Sequence, residues 1–473
     1  MRHDTVDWRE TFYVGAREVD WRPKREVPDD RYDLAIALRI VRRMETSAGR
    51  GAVFEEIKNK NPLYRLVDTL YSHAGAGIVQ PLLLFVYMLK CVVSIGPFDD
   101  DGAEAVSISN FDNERHTVDR VAALVPDVRL LRLSIEHRHI LRLGQVVAAL
   151  RMLGSLGRLW SFLRILVRSH SFMPSARIAS ALAFYMRFSR LFAERPSLNA
   201  AIVASNYSPE SVGMAAAAHR MGRRVVYANH APVPANGAVV PPVLADCALF
   251  YGAAIRQTYE RRSRCTANVA LIGQPGTARP MTWRDDVRQV GIFLTGLTRG
   301  EAVADLVSAI RASRPDLRIL IRHHPVALLR TDFSELEAQD GNIEVTIGTP
   351  LDDEIVACDL IICGNSGVAL NALSGGRPVA YLAGLDSVKF DCNGFVESGL
   401  VCHVTGWSDD IYDRLKKFYQ PPGWLDVMRT YDASYGADVA SLEREAAETV
   451  RHYLRPARQL RSGRHFQNVW AAR

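Results

Sequence analysis

Three short segments in the second half of the chain carry groups that bind anions. Thr295-Gly296, His323-His324-Pro325 and Asn365-Ser366-Gly367 each follow a run of apolar residues that reads as a strand. Gly-containing turns that open into helices present free backbone N–H groups to an anion. Ser366 adds a hydroxyl donor. A histidine at a strand end can hydrogen-bond a phosphate or a ribose, and Pro325 fixes an extended exit from its strand. Each feature alone has a plainer reading, as a helix cap or a strand-end residue. Three of them at the carboxyl ends of one parallel sheet point to a nucleotide site, because ligands of such sheets lie there.

The first half offers bases. His230 follows the run Arg224 to Ala228, and a neutral histidine can deprotonate an attacking hydroxyl. Its plainer role is to order the loop that holds Pro232, Pro234, Pro241 and Pro242. Asp112 and Glu114 lie beyond the run Ala105 to Ser109, and Glu210 lies beyond Ala200 to Ala204. Asn206 and Ser208, after that same run, are placed to line an acceptor cleft.

The elements that would position these groups alternate between strand and helix in both halves. Such alternation implies parallel pairing through right-handed crossovers, hence an α/β fold of two doubly wound, Rossmann-like domains facing a cleft. Residues 1–97 read as a mainly helical extension and 98–280 as the acceptor-side domain. A basic helical insert occupies 137–193, read as helices broken near Gly154, Gly157 and Pro174. Residues 281–440 read as the donor-binding domain, entered through Gly273-Gln-Pro-Gly276. Residues 441–473 hold a closing helix, Glu443 to Leu454, and an Arg-rich tail.

Composition narrows the function. A chain of 473 residues suits two domains. The net charge of +6 is modest, but from His137 to Ala193 there are nine arginines and no acid. Trp160, Phe162, Phe172 and Phe184 are interleaved with them. This mixture expects an anionic membrane surface; no nucleic-acid module accompanies it, so no nucleic acid is expected. The apolar run Ile78 to Ile95 contains Gln80, Pro81 and Lys90, and reads as a buried or interfacial helix before a membrane span. The seven cysteines are scattered without a CxxC pair, which implies neither a disulfide framework nor a zinc site. With a polar N-terminus, the expected location is cytoplasmic, peripheral on the inner face of the cell membrane. No GxGxxG follows a first strand and no GxxxxGK[ST] occurs; Gly364-Asn-Ser-Gly-Val lacks the last glycine of a nucleophile elbow.

The segment from Val290 to Leu382 resembles the donor-binding domain of GT-B glycosyltransferases that build bacterial capsule and lipopolysaccharide. It is most similar to members with a His-Pro motif followed by a Ser-bearing strand–helix turn, such as sialyl- and Kdo-transferases. Teichoic-acid glycerophosphotransferases look similar in the same places. The resemblance covers about a fifth of the chain. It implies that His324-Pro325 contacts the nucleotide and Ser366 the donor phosphate, with His323 an adjacent candidate. It also implies inverting transfer from a CMP- or UDP-sugar to a glycan or lipid-linked acceptor, without a metal and with no cofactor beyond the donor. Those families carry an acidic pair before glycine at an N-domain strand end. Here Asp100-Asp101-Gly102 precedes its strand instead, and His230 stands where the base is expected. A UDP-GlcNAc 2-epimerase and an inactive membrane-associated scaffold of polysaccharide assembly remain as alternatives.

Overall fold

The computed structural model describes residues 31–74, 77–95, 102–135, 143–276, 278–325 and 331–455. Asp100-Asp101, Arg138, Arg142 and the tail from Pro456 lie outside these residues.

The described strands form two six-stranded sheets. The first contains β1 (Ala105–Ser109), β2 (Leu130–Ser134), β3 (Ala200–Val203), β4 (Arg224–Ala228), β5 (Cys247–Phe250) and β6 (Asn268–Leu271). The second contains β7 (Gln289–Phe293), β8 (Arg318–Arg322), β9 (Ile343–Thr346), β10 (Leu360–Cys363), β11 (Val379–Leu382) and β12 (Cys402–Val404). Every pairing is parallel. β3, β5, β10 and β11 are buried at every residue, which is why they read as unbroken apolar runs and not as alternating ones.

The orders are β2-β1-β3-β4-β5-β6 and β12-β11-β10-β7-β8-β9. Counted from its own first strand, the second sheet has the 3-2-1-4-5-6 order of dinucleotide-binding folds. The winding reverses between β7 and β10 there, and between β1 and β3 in the first sheet. A crevice is expected above the carboxyl ends of each of these pairs. The expected two doubly wound α/β domains are therefore present.

The extension and the insert do not stand apart from the first domain. Their apolar residues join one core with its sheet. Helix Phe172–Glu194 is the axis of that core, with Ile178, Leu182, Phe188 and Phe192 buried. The basic stretch 137–193 is thus a surface only over its first two helices, Leu143–Leu153 and Leu156–Ser169. Its expected break near Gly154 is present, and the other two differ. Gly157 lies inside the second helix, and Pro174 sits in the first turn of helix Phe172–Glu194, where a missing N–H costs nothing. The chain breaks at Gly154-Ser155, as expected, and at His170-Ser171, just ahead of Pro174.

The closing helix starts earlier than expected, running Val439–Leu454. The Asp438 carboxylate caps it, accepting from the N–H groups of Ala440 (3.1 Å) and Ser441 (3.3 Å). It packs against β4, β5 and β6, so the chain returns to the first domain. The two crossings between domains are tied at Asp432, which is fully buried. Its carboxylate accepts from Gln274 N (2.9 Å) on one crossing, Ser434 N (2.9 Å) on the other and Ser374 Oγ (2.7 Å) in the second domain.

Candidate functional site

Thr295 and Gly364 follow β7 and β10, the two strands between which the second sheet reverses. The crevice above them is spanned by Asp386, which is 2% exposed. One carboxylate oxygen accepts from the hydroxyls of Thr295 (2.6 Å) and Thr298 (3.3 Å), the other from the backbone N–H of Asn365 (2.6 Å). Gly364 is required here, because a Cβ would collide with that carboxylate. The Thr295 N–H donates to the Thr298 hydroxyl (2.8 Å), and Gly296 lies half-buried in the same turn. Asn365 is also committed internally. Its amide donates to the carbonyls of Val388 and Phe390 (both 3.0 Å) and accepts from Cys392 N (2.7 Å). These bonds hold the loop after β11 across the sheet edge.

Ser366 and Gly367 are less committed. Ser366 is buried; its Oγ accepts from Val368 N (3.3 Å), and its own hydroxyl hydrogen remains available. At the neighbouring strand end, His323 is buried with its ring stacked on Phe333 at 5.6 Å, and its backbone N–H donates to the Thr346 carbonyl (3.1 Å). His323 therefore braces β8 against helix Ser334–Gln339. His324 is half-buried and Pro325 exposed, so His324 is the more accessible of the two histidines.

His230 leaves β4 half-buried. Its Nδ1 is hydrogen-bonded to the carbonyl of Ala204, at the end of β3. A carbonyl can only accept, so Nδ1 carries the proton and Nε2 the free lone pair. Burial lowers the pKa of the ring below the ordinary histidine value, with the Ala204 bond acting in the opposite sense. Two residues on, Pro232 meets the other domain. A Cβ on Gly367 would lie 3.0 Å from Pro232 Cδ. The same loop is pinned by Asn236, whose N–H donates to the Cys392 carbonyl (3.0 Å) and whose amide donates to Glu397 (2.9 Å). The structure thus brings the loop of His230 onto the turn of Ser366.

The remaining first-domain candidates have other partners. Asp112 is exposed and paired with Arg115. Asn206 is buried, its amide donating to the Pro241 carbonyl (3.0 Å) and to the Tyr259 hydroxyl (3.2 Å), which makes it a brace for the Pro-rich loop. Ser208 is buried, and its hydroxyl has no hydrogen-bond partner among the described residues. Glu210 is 1% exposed, and neither of its oxygens has such a partner. It belongs to a buried charge cluster that sequence reasoning missed. Arg177 faces Glu210 and donates to Glu45 (3.0 Å), which also pairs with Arg50 (3.3 Å). Glu114 accepts from the N–H groups of Asn110 (2.8 Å) and Phe111 (3.4 Å). Burial, then the charge of Glu210, pushes the Glu114 carboxyl up to about 7. Arg177 comes from the basic insert and Glu45 from the extension, so no local spacing announced the cluster.

Between the domains, an open groove of about 840 Å³ is flanked by Gln257, Arg261, Glu397, Asp426 and Tyr431. Beside Pro232 the void left between Ile255, Leu370 and Phe395 is only about 10 Å³, room for at most one water. The domains are closed on each other at the Ser366 turn. Among the described residues no group of three or more His, Cys, Asp or Glu side chains is placed to hold a metal ion.

No protein-family model matches the chain, and no curated protein matches its sequence. Solved structures of similar shape do exist. UDP-GlcNAc 2-epimerase from Neisseria meningitidis bound to UDP-GlcNAc is 11% identical, covering 74% of this chain and 99% of that one, with a TM-score of 0.46. The calicheamicin glycosyltransferase is 12% identical over 80% of this chain and 96% of its own, with a TM-score of 0.42. The glycotransferase of kitacinnamycin is 12% identical over 74% and 99%, with a TM-score of 0.45. Likeness at this level carries no chemistry across to this chain.

Proposed function

We propose that the chain is an inverting glycosyltransferase that uses a nucleotide-activated sugar, a CMP- or UDP-sugar, and acts in bacterial surface polysaccharide synthesis. The observation that supports this reading is the approach of Pro232, two residues after His230, to Gly367, the residue after Ser366. His230 Nε2 takes the proton of an acceptor hydroxyl as its oxygen attacks the anomeric carbon. The bond from that carbon to the donor phosphate breaks, and the nucleotide leaves with the electron pair. The Ser366 hydroxyl and the Gly367 N–H stabilise the charge that develops there. His324-Pro325 contacts the nucleotide. Helix termini and hydroxyls serve in place of a metal, and the donor is a co-substrate with no further cofactor. The acceptor is a glycan or a lipid-linked glycan. The basic insert holds the enzyme on the anionic inner face of the membrane, which makes it cytoplasmic and peripheral.

Asp386 favours a second reading. Its carboxylate occupies the reversal crevice and takes the Asn365 N–H that an anion would need. An inactive scaffold of polysaccharide assembly would keep such a plug permanently.

Incubation of the protein with CMP- and UDP-sugars and a lipid-linked glycan extract tests the choice. Nucleotide release that needs the extract, and falls at least about a hundredfold in His230→Ala, is the expected result. A rate within about twofold of wild type in that variant would remove His230 as the base. An epimerised sugar formed without acceptor would overturn transfer itself.

A further inference from the structure

Single exposed leucines are ordinary, but rows of them on adjoining helices are not. Helix Pro62–His73 exposes Leu63 (69%), Leu66 (54%) and Leu70 (58%), spaced i, i+3, i+7 on one face. Helix Val79–Ser94 exposes Leu82 and Val86, while Leu84, Phe85 and Met88 on its other side fill the core. Helix Leu143–Leu153 exposes Leu150 (61%) and Leu153. The three helices are stitched to one another. Gln80 Nε2 donates to the Tyr71 carbonyl (2.6 Å), joining the first to the second. Gln145 Nε2 donates to the carbonyls of Val93 (2.7 Å) and Ile95 (3.1 Å), joining the third to the end of the second.

The unpaired charge on the next helix is positive. Helix Leu156–Ser169 meets Leu143–Leu153 at a 72° bend, buries Leu159, Phe162 and Leu166, and exposes Arg158, Arg164 and Arg168. Those three arginines form no ion pair with the described residues. Asp68, on the first leucine-bearing helix, is taken up by Lys58 (3.0 Å), and Glu194, on helix Phe172–Glu194, by Arg190 (2.6 Å); Glu55 on the adjoining helix remains an exposed acid near Tyr64. Among the described residues no single helix is long and apolar enough to cross a bilayer.

We infer that the three leucine-bearing helices form a composite face that inserts shallowly into an anionic lipid bilayer, with the arginines of Leu156–Ser169 on the headgroup phosphates. Apolar side chains that lie outside the basic insert thus supply part of the attachment. The inference rests on the lipid-facing part of the functional reading and is independent of its transfer chemistry.

Co-sedimentation of the full chain with phosphatidylcholine vesicles, with and without phosphatidylglycerol, tests it at low salt and at about 0.5 M salt, where charge attraction is screened. The wild type is expected to bind the anionic vesicles and to keep part of that binding in high salt. Leu66→Glu, Leu82→Glu and Leu150→Glu, all at exposed positions and checked for an unchanged melting temperature, should each partition at least about tenfold more weakly. The triple variant Arg158→Ala, Arg164→Ala, Arg168→Ala should lose the preference for phosphatidylglycerol. Leucine variants that bind like wild type while the triple variant does not would overturn the inserted face and leave electrostatic docking standing. No vesicle binding by the wild type would overturn both. A wild-type dimer in sedimentation velocity that the leucine variants turn into monomers would show the face to be a self-interface instead.

Discussion

The Ala204 carbonyl fixes the tautomer of His230, and burial keeps the ring neutral below the ordinary histidine range. A base of that kind is lost only as pH falls through its lowered pKa. The acid limb of kcat/KM should therefore lie below about pH 6.5, and a limb above that value would show that another group is titrating. Glu114 behaves in the opposite sense. Its folded pKa, about 7, lies above the ordinary carboxyl value, so the native state holds a proton that the unfolded chain has released. Its contribution to stability is complete below the unfolded value and is lost as pH rises toward 7. Urea unfolding at pH 5 and pH 8 should show Glu114→Gln gaining on wild type by up to roughly 3 kcal/mol at the higher pH. Parallel profiles would mean that Glu114 is not held as described. His230, Ser366, Glu114 and Glu210 could be singled out in the sequence because each lies just beyond a strand end. The burial that raises the Glu114 pKa and the role of Asp386 could not, because they depend on Glu210 and Thr295, residues brought near only by the folded sheet.

Among the elements, the Thr295 turn and the loop after β11 depend on each other through Asp386. Asp386→Ala strands two hydroxyls and one backbone N–H at a buried position, and should cost about 2–4 kcal/mol in urea unfolding. A loss under about 0.5 kcal/mol, ordinary for a surface change, would show the staple to be incidental. The strands of both domains could be read because parallel strands buried on two faces leave unbroken apolar runs. Helix Ala48–Lys60 could not: Ala-Gly-Arg-Gly-Ala-Val-Phe-Glu-Glu-Ile has two glycines and no apolar stripe. β12 is three residues long, too short to show a period. Helix Pro62–His73 shows the opposite limit: its leucines have the spacing of a core stripe, and only the structure shows that they face outward.

The whole molecule is two doubly wound layers locked at Asp432 and closed where Pro232 rests on Gly367. The alternation of strand and helix announced the two layers, but not that the extension and the third insert helix would share the first domain's core. Those contacts join residues far apart in sequence, such as Arg177 with Glu45. Closure leaves about 10 Å³ beside Pro232, between Ile255, Leu370 and Phe395. Nucleotide binding is the event on which the account depends. The most direct measurement is the melting temperature of the purified chain with CMP, CDP, UMP, UDP and GDP, repeated with Ser366→Ala and His324→Ala. Binding to the native state must raise that temperature. The account predicts a rise with a cytidine or uridine nucleotide that both substitutions abolish; no rise with any nucleotide, or a rise that survives both substitutions, would contradict it.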